Sequence, residues 1–447
     1  MESILRIDMG AAGGPAASLG PLQRYSGLAG RGMTSLVVAE EVDPACHPLG
    51  GGNKLVLAPA RLRGAPSPGA GHLSVGCKSP LTGGIVPSHA DGPAAEALRR
   101  LGYAAVVVEG QPGGDDLWTV VVDARGVAFS VANGYRMLGN LETVAKLRRA
   151  HGPLAALLTI GQAGEMGLGA ASLTCPAAGV RPTRHCGRGG AGAVMGSKRL
   201  KAIVIDGGDA AGDADRGAGA PLDEAARGDP GARAPASPYR EACGIRDPVV
   251  LGQIEALEDD LGLEGAEVAA AVSLAMEAGL ARFGDGQATL RLVEEIARGT
   301  PLGRIVGSGL RVTAEAFGLE RREMLRRPVV RAAWPEGDGV RPLALAEVEL
   351  GGAAREIIAA ERRFEALARA AAAVEGAREG DPGLRPHPIV FGTLDDDLAR
   401  LFGAADPDAD PFDPQLQLPI GLRSQHPADP GHRAPAAFPA RRPSDES

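Results

Sequence analysis

Aromatic residues make up only 3% of this 447-residue chain, and it has five cysteines. The cysteines stand at 46, 77, 175, 186 and 243, with no C-x-x-C pair among them. An odd, scattered set suits a reducing compartment better than a disulfide framework. Basic residues are in deficit, 47 Lys and Arg against 55 Asp and Glu, and the net charge of −8 leaves no electrostatic footprint for nucleic acid. No apolar run is long enough to span a bilayer. The start, Met1-Glu-Ser-Ile-Leu, lacks the basic and apolar regions of a signal peptide. These absences predict a cytoplasmic protein that engages neither membrane nor nucleic acid. What is plentiful is glycine (65) and proline (35), within a composition that is 44% hydrophobic. That mixture predicts an ordered glycine-rich scaffold together with some disordered sequence, and the length has room for two or three domains.

Residues 1–206 read as strands punctuated by glycine. The predicted strands are 54–58, 72–76, 104–109, 118–123, 127–131, 154–160 and 202–206, with helical spacing at 93–101 and 142–150. Asp123-Ala-Arg-Gly126 reads as a hairpin turn. Residues 207–238 contain no aromatic or β-branched residue, so they cannot bury enough surface to offset ordering and read as a low-complexity linker. From Tyr239 the period turns helical, with predicted helices at 248–261, 264–278, 289–298, 302–317 and 353–374, so 239–376 forms a helical domain. Residues 377–447 read as a mostly disordered, Pro-rich tail, with 394–402 the one periodic stretch. The fold class is α+β.

The organising stretch is Arg184–Asp206, with glycines at 187, 189, 190, 192 and 196 and lysines at 198 and 201. Glycine lets a ligand approach the backbone closely, and successive N–H groups in such a loop form an anion-binding concavity. Arg188 could fork onto a phosphate and Lys198 could act as a point charge. The loop reads as a phosphate-bearing cofactor site leading into a strand; the plain alternative is a glycine-rich hairpin. Gly187–Gly192 matches G-x-G-x-x-G, but 181–184 makes a poor strand, and Gly196-Ser197-Lys198 reverses the P-loop order, so a nucleotide fingerprint is disfavoured.

An ordered set of segments resembles the aldehyde ferredoxin oxidoreductase family. They are Gly30-Arg-Gly32, Asn53, Lys78-Ser-Pro-Leu-Thr-Gly83, Gly102-Tyr103 leading into Val106-Val-Val-Glu-Gly110, Gly161-Gln-Ala-Gly-Glu165, and Gly187 through Lys198. Patchier likeness continues through Cys243-Gly-Ile-Arg-Asp247 and Asp259-Asp-Leu-Gly-Leu263. The resemblance implies two twisted sheets forming a base for tungsten or molybdenum held by two pyranopterins, with helical domains covering it. It implies oxidation of a small aldehyde to a carboxylate, with electrons passing through a four-iron four-sulfur cluster to ferredoxin. The cofactor-binding residues it suggests are Lys78, Ser79, Thr82, His72, His89, Arg188, Gly189, Gly190, Gly192, Ser197, Lys198, Asp259, Gly262 and Leu263. His72 and His89 stand where the family has an Arg beside the cofactor and a metal-bridging Asn. Taken alone, both read as loop histidines rather than metal ligands, and Asp259-x-x-Gly-Leu263 reads as a helix end with a glycine cap. Cys186 stands where a small residue is usual and reads as an ordinary buried one, the alternative being a thiol activated beside Arg184 and Arg188.

The family's cluster-binding C-x-x-C-x-x-x-C run is missing, and residues 207–238 occupy its place. Residues 326–350 replace the stretch that carries the active-site acid and His, so no catalytic residue and no metal ligand is assigned. The expectation is a family oxidoreductase impaired by the loss of its cluster ligands, depending on ferredoxin or an iron–sulfur partner subunit. The alternatives are a non-catalytic relative that binds a pterin or a partner, and a nucleotide-binding enzyme. A homodimer is left open.

Overall fold

The computed structural model describes residues 3–60, 72–176, 185–207 and 237–319, and these lie in one compact unit. The predicted linker, apart from its ends, lies outside the described residues. So do the predicted helix at 353–374, the 326–350 replacement and the Pro-rich tail.

Among the described residues, twelve strands form two six-stranded sheets. The first contains β1 (Ser3–Asp8), β2 (Ala16–Gly20), β3 (Leu55–Pro59), β4 (His72–Gly76), β5 (Ser88–Asp91) and β6 (Tyr103–Glu109) in the order β2-β1-β6-β3-β4-β5. The second contains β7 (Trp118–Asp123), β8 (Gly126–Val131), β9 (Ala156–Thr159), β10 (Leu173–Thr174), β11 (His185–Cys186) and β12 (Leu200–Ile205) in the order β11-β10-β9-β12-β7-β8. The two orders follow one plan: a hairpin, a helix, three antiparallel strands, a second helix, and a last strand inserted beside the hairpin. That last strand pairs parallel with the first strand of its hairpin in both sheets. Even the irregularity repeats, since Ala104 is skipped in the β1–β6 register and Lys201 in the β7–β12 register. Tyr25 and Tyr135 each end a 3-10 turn, and a twelve-residue helix follows each, Gly30–Glu41 and Asn140–His151.

The main core lies between the sheets. Alternate residues of one face (Leu5, Ile7, Leu57, Leu73, Val75) meet Val120, Val122, Leu158, Leu173 and Ile203 of the other, and the helix Pro93–Arg100 adds Ala94, Ala95 and Leu98. A second core joins the helical region to the segment 163–171 and to Ala193. Among the described residues, the helical region contains Pro238–Ala242, Pro248–Leu261, Gly265–Glu277, Gly286–Arg298, Pro301–Gly307 and Leu310–Phe317. No described helix is long and apolar enough to cross a membrane.

The structure differs from the sequence-based expectations at several elements. The predicted single helix at 302–317 is two helices, because Gly309 adopts φ +95° and breaks the run after Gly307. The helix Gly30–Glu41 was not anticipated, nor were β1, β2, β5, β10 and β11. The glycine stretch does not lead straight into a strand: a helix, Ala191–Ser197, intervenes. Gly192 and Gly196 depress its helix propensity, yet their one-turn spacing puts both on the face that meets neighbouring backbone, at Ser172 and Gly164. A strand also precedes the loop, but β11 runs antiparallel to β10 and lies three places from β12, so no βαβ unit forms.

Candidate functional site

The glycine loop is a keystone between segments. A side chain at Gly190 would collide with the Gly169 carbonyl and the Pro80 ring, and Gly190 is left-handed at φ +73°. Gly189 lies on Val86, Gly187 on the Glu264 side chain, Gly192 on the Ser172 carbonyl and Gly196 on the Gly164 carbonyl. These close approaches are therefore to protein backbone and side chains. The Arg188 N–H donates to Ser88 Oγ (3.2 Å), which ties the loop to β5. The loop and the Lys78–Thr82 turn consequently touch, and both adjoin the helical region through Leu81, Gly169 and Gly309.

Of the side chains expected to hold an anion, Lys78, Ser197 and Lys198 donate within the fold, and the Ser79 and Thr82 hydroxyls accept from their own turn. Lys78 Nζ donates to the carbonyls of Pro44 and Cys46 (2.6 Å to the latter). Asn53, fully buried, donates to the Lys78 carbonyl at 2.9 Å and accepts from its N–H at 3.0 Å, which pins the start of the turn. Ser79 Oγ accepts from the N–H groups of Leu81 (3.1 Å) and Thr82 (3.2 Å), and Thr82 Oγ1 accepts from Gly84 (3.3 Å). Ser197 Oγ donates to the Val194 carbonyl.

Lys198 is wholly buried, and its Nζ donates to the carbonyls of Asn53 (2.7 Å) and Gly110 (3.2 Å). Burial pulls its ammonium down to about 8, partly opposed by the nearby Cys77, whose own buried thiol is pushed up to about 12. The point charge expected to face a phosphate instead clamps the turn at Asn53 to the end of β6. Lys201 is likewise buried and pairs with Glu165 at 2.6 Å.

The Asp259–Leu263 stretch ends the helix Pro248–Leu261. Gly262 is the left-handed cap at φ +71°, as the plain reading of the pentapeptide has it. It also docks the helical region onto the second sheet. Leu263 bridges Ala171, Ser172 N–H donates to the Gly262 carbonyl (2.8 Å), and Glu264 N–H donates to the Ala170 carbonyl (2.9 Å). Just before it, Glu258 is buried and accepts from the Tyr239 hydroxyl (2.6 Å); burial raises its carboxyl well above the usual range, against that hydrogen bond.

Six of the suggested polar residues are partly exposed: His72, Thr82, His89, Arg188, Ser197 and Asp259. His72 and His89 share one face of the β4–β5 hairpin, because His89 is opposite Ser74 in register and His72 is two residues from it. His89 Nδ1 lies 3.0 Å from Ser74 Oγ. Two imidazoles, a guanidinium and a carboxylate suit a ligand that carries phosphates and heterocyclic N–H donors. Sequence reasoning missed His185, whose Nε2 is 2.9 Å from Asp259 Oδ1 and whose Nδ1 is 2.9 Å from Ser172 Oγ and 3.1 Å from Thr174 Oγ1. The spacing shared by Tyr25 and Tyr135 ahead of equal helices was a usable sign of the repeat that contains it.

The comparisons with known proteins agree with this architecture. The family model for the aldehyde ferredoxin oxidoreductase N-terminal domain matches residues 4–207, and that for domains 2 and 3 matches residues 238–331. The tungsten-containing aldehyde ferredoxin oxidoreductase of Pyrococcus furiosus is 34% identical over 183 residues, 40% of this chain and 29% of that protein. The protein of the same name from Thermococcus kodakarensis is 33% identical over the same length, again 40% of this chain and 29% of its own. The matched region is thus under a third of these relatives' length. In fold, the chain is similar to the active-site complex BamBC of benzoyl coenzyme A reductase, with TM-score 0.59 and 18% identity, covering 73% of this chain and 64% of that one. With both family models matched in order over the sheets and the start of the helical region, the chain belongs to the aldehyde ferredoxin oxidoreductase family.

Proposed function

We propose that this chain is an oxidoreductase of the aldehyde ferredoxin oxidoreductase type, acting on a small aldehyde at the seam between β5, β11 and the helix Pro248–Leu261. The observation that carries the reading is the junction itself: the glycine loop, the Lys78–Thr82 turn and the docked end of that helix adjoin one another. To it we assign the partly exposed His72, His89, Arg188 and Asp259. A tungsten or molybdenum pyranopterin suits that donor set. Arg188 would fork onto its phosphates, Asp259 would accept from pterin N–H groups, and the two imidazoles would line the base. Lys78, Ser79, Thr82, Ser197 and Lys198 act one step back by holding the loops in shape, and Gly189, Gly190, Gly192, Gly262 and Leu263 by letting segments pack. When bound, such a group supplies the redox centre that takes two electrons as an aldehyde and water become a carboxylate.

Electrons would leave to ferredoxin or to an iron–sulfur partner subunit, because the chain lacks the spaced cysteines that hold a cluster. The test is purification without oxygen, then tungsten, molybdenum and pterin analysis and aldehyde-dependent dye reduction with and without a ferredoxin. Pterin and metal near one site per chain support the cofactor reading. Bound pterin without turnover would favour a non-catalytic relative, and absence of both would overturn the assignment.

A further inference from the structure

The matched registers pair residues of the two sheets one by one. Ala105 faces Ile4 and Ala202 faces Thr119 at the first step after the shared irregularity, so Ala105 corresponds to Ala202. Val106, one step on, pairs with Leu57, and Ile203 pairs with Leu158, so Ala58 corresponds to Thr159. Ala58 pairs with Ser74 and Thr159 with Thr174. Ser74 pairs with His89 and Thr174 with His185. His89 and His185 therefore occupy one position of the repeated plan, on two edge strands that lie against each other. The side chains repeat it as well: a hydroxyl on the neighbouring strand meets Nδ1 of each imidazole, Ser74 at 3.0 Å and Thr174 at 3.1 Å.

We propose that His185 is a positioning residue of a second half-site, the counterpart of the one lined by His89, and that it holds Asp259 so that the carboxylate's other oxygen faces the ligand. This rests on the cofactor reading above. A carboxylate only accepts, so His185 Nε2 carries the proton in either charge state, and Nδ1 faces the Ser172 and Thr174 hydroxyls. An imidazole held at both ring nitrogens sets the direction of the one group it serves. Among the described residues His185 supplies the one hydrogen bond to the Asp259 carboxylate, whose side chain keeps 31% exposure. The docking of the helix does not need this bond, since the Ala171–Leu263 bridge and the Ser172 and Glu264 N–H groups already secure it. The half-site is thus completed only when the helical region meets the second sheet, and its ligand chemistry is a heterocycle with adjacent N–H donors.

The test uses the full chain purified without oxygen, as wild type and as His185→Ala, His185→Gln and Asp259→Asn. Pterin per chain is read from the fluorescence of its oxidised form, metal by mass spectrometry, and folding by Tm. His185→Ala and Asp259→Asn should each lower pterin per folded chain about tenfold, the low end for removing such a partner. His185→Gln, which keeps an N–H donor, should recover most of it. If Asp259→Asn loses pterin while His185→Ala keeps it, this inference falls and the cofactor reading stands. Pterin loss that only tracks a fall in Tm, with no recovery in His185→Gln, makes His185 a structural staple and also overturns the inference. A wild-type chain without pterin, or an Asp259→Asn chain that keeps it all, removes the reading beneath.

Discussion

Gly190 concentrates the demands of this fold on one residue. It combines a left-handed φ of +73° with contact to the Gly169 carbonyl and the Pro80 ring, so a methyl group there meets both backbone strain and backbone atoms that cannot rotate away. Gly190→Ala should cost more than about 2 kcal/mol, beyond the usual range for a misplaced alanine. A urea midpoint equal to wild type would show that the loop is not clamped as described. At the end of the helix Gly30–Glu41, Glu41 accepts a bidentate pair from Arg6 (2.6 and 2.8 Å), a bond from Lys54 (2.7 Å) and one from the Tyr25 hydroxyl (2.6 Å). Burial works to raise its carboxyl, but those three partners prevail and bring it from 4.5 down to about 2. The native state therefore binds fewer protons than the unfolded chain between those values, so the stabilisation is present above about pH 4.5 and fades as pH falls towards 2. The Tm gap between wild type and Glu41→Gln should narrow across that window. A gap that stays constant would disprove the linkage.

At the scale of elements, the helix Pro248–Leu261 shows what was legible. Asp247 accepts from Val249 N–H as the N-cap, Pro248 sits at the first helical position, and Gly262 closes the end; all three signals lie in the local sequence, and the predicted bounds of 248–261 hold. What that helix does at its far end was not legible. Asp260 Oδ1 accepts from Leu141 N–H at 2.8 Å, capping the helix Asn140–His151 from a position 119 residues away. Asn140 Nδ2 in turn donates to the Asp259 carbonyl at 3.0 Å. Asp260→Ala should cost about 1–2 kcal/mol, as for other lost caps. Amide exchange should quicken first in the opening turn of Asn140–His151; unchanged protection there would refute the link. The helix Ala191–Ser197 was invisible for the converse reason, since its glycines argue locally against a helix that tertiary packing imposes.

For the whole molecule, the two sheets repeat one plan, and the helical region closes over the place where their edges meet. The five cysteines do not follow that plan towards a shared site: Cys77, Cys175, Cys186 and Cys243 are buried and Cys46 is partly so, and none is bridged to another. A cluster would need about four thiolates converging on one point. Iron and acid-labile sulfide should therefore be near background after anaerobic purification, and near-stoichiometric cluster iron that survives gel filtration would contradict this.

Sequence alone determined the α+β class, the strands at 72–76 and 118–123, the Asp123–Gly126 hairpin, the capped helix at 248–261 and the family. Each of these rests on signals that act over a few residues: alternation, turn chemistry, caps, and an ordered run of short motifs. Tertiary structure alone decided that Lys78 and Lys198 face backbone carbonyls instead of a ligand, because a lysine's direction depends on which segments surround it. It also decided that His185 meets Asp259, 74 positions away, and that His89 has a counterpart, since strand register and the docking of the helix join residues distant along the chain. No spacing along the chain encodes such a meeting; it exists only once both sheets have formed and the helix has closed on them.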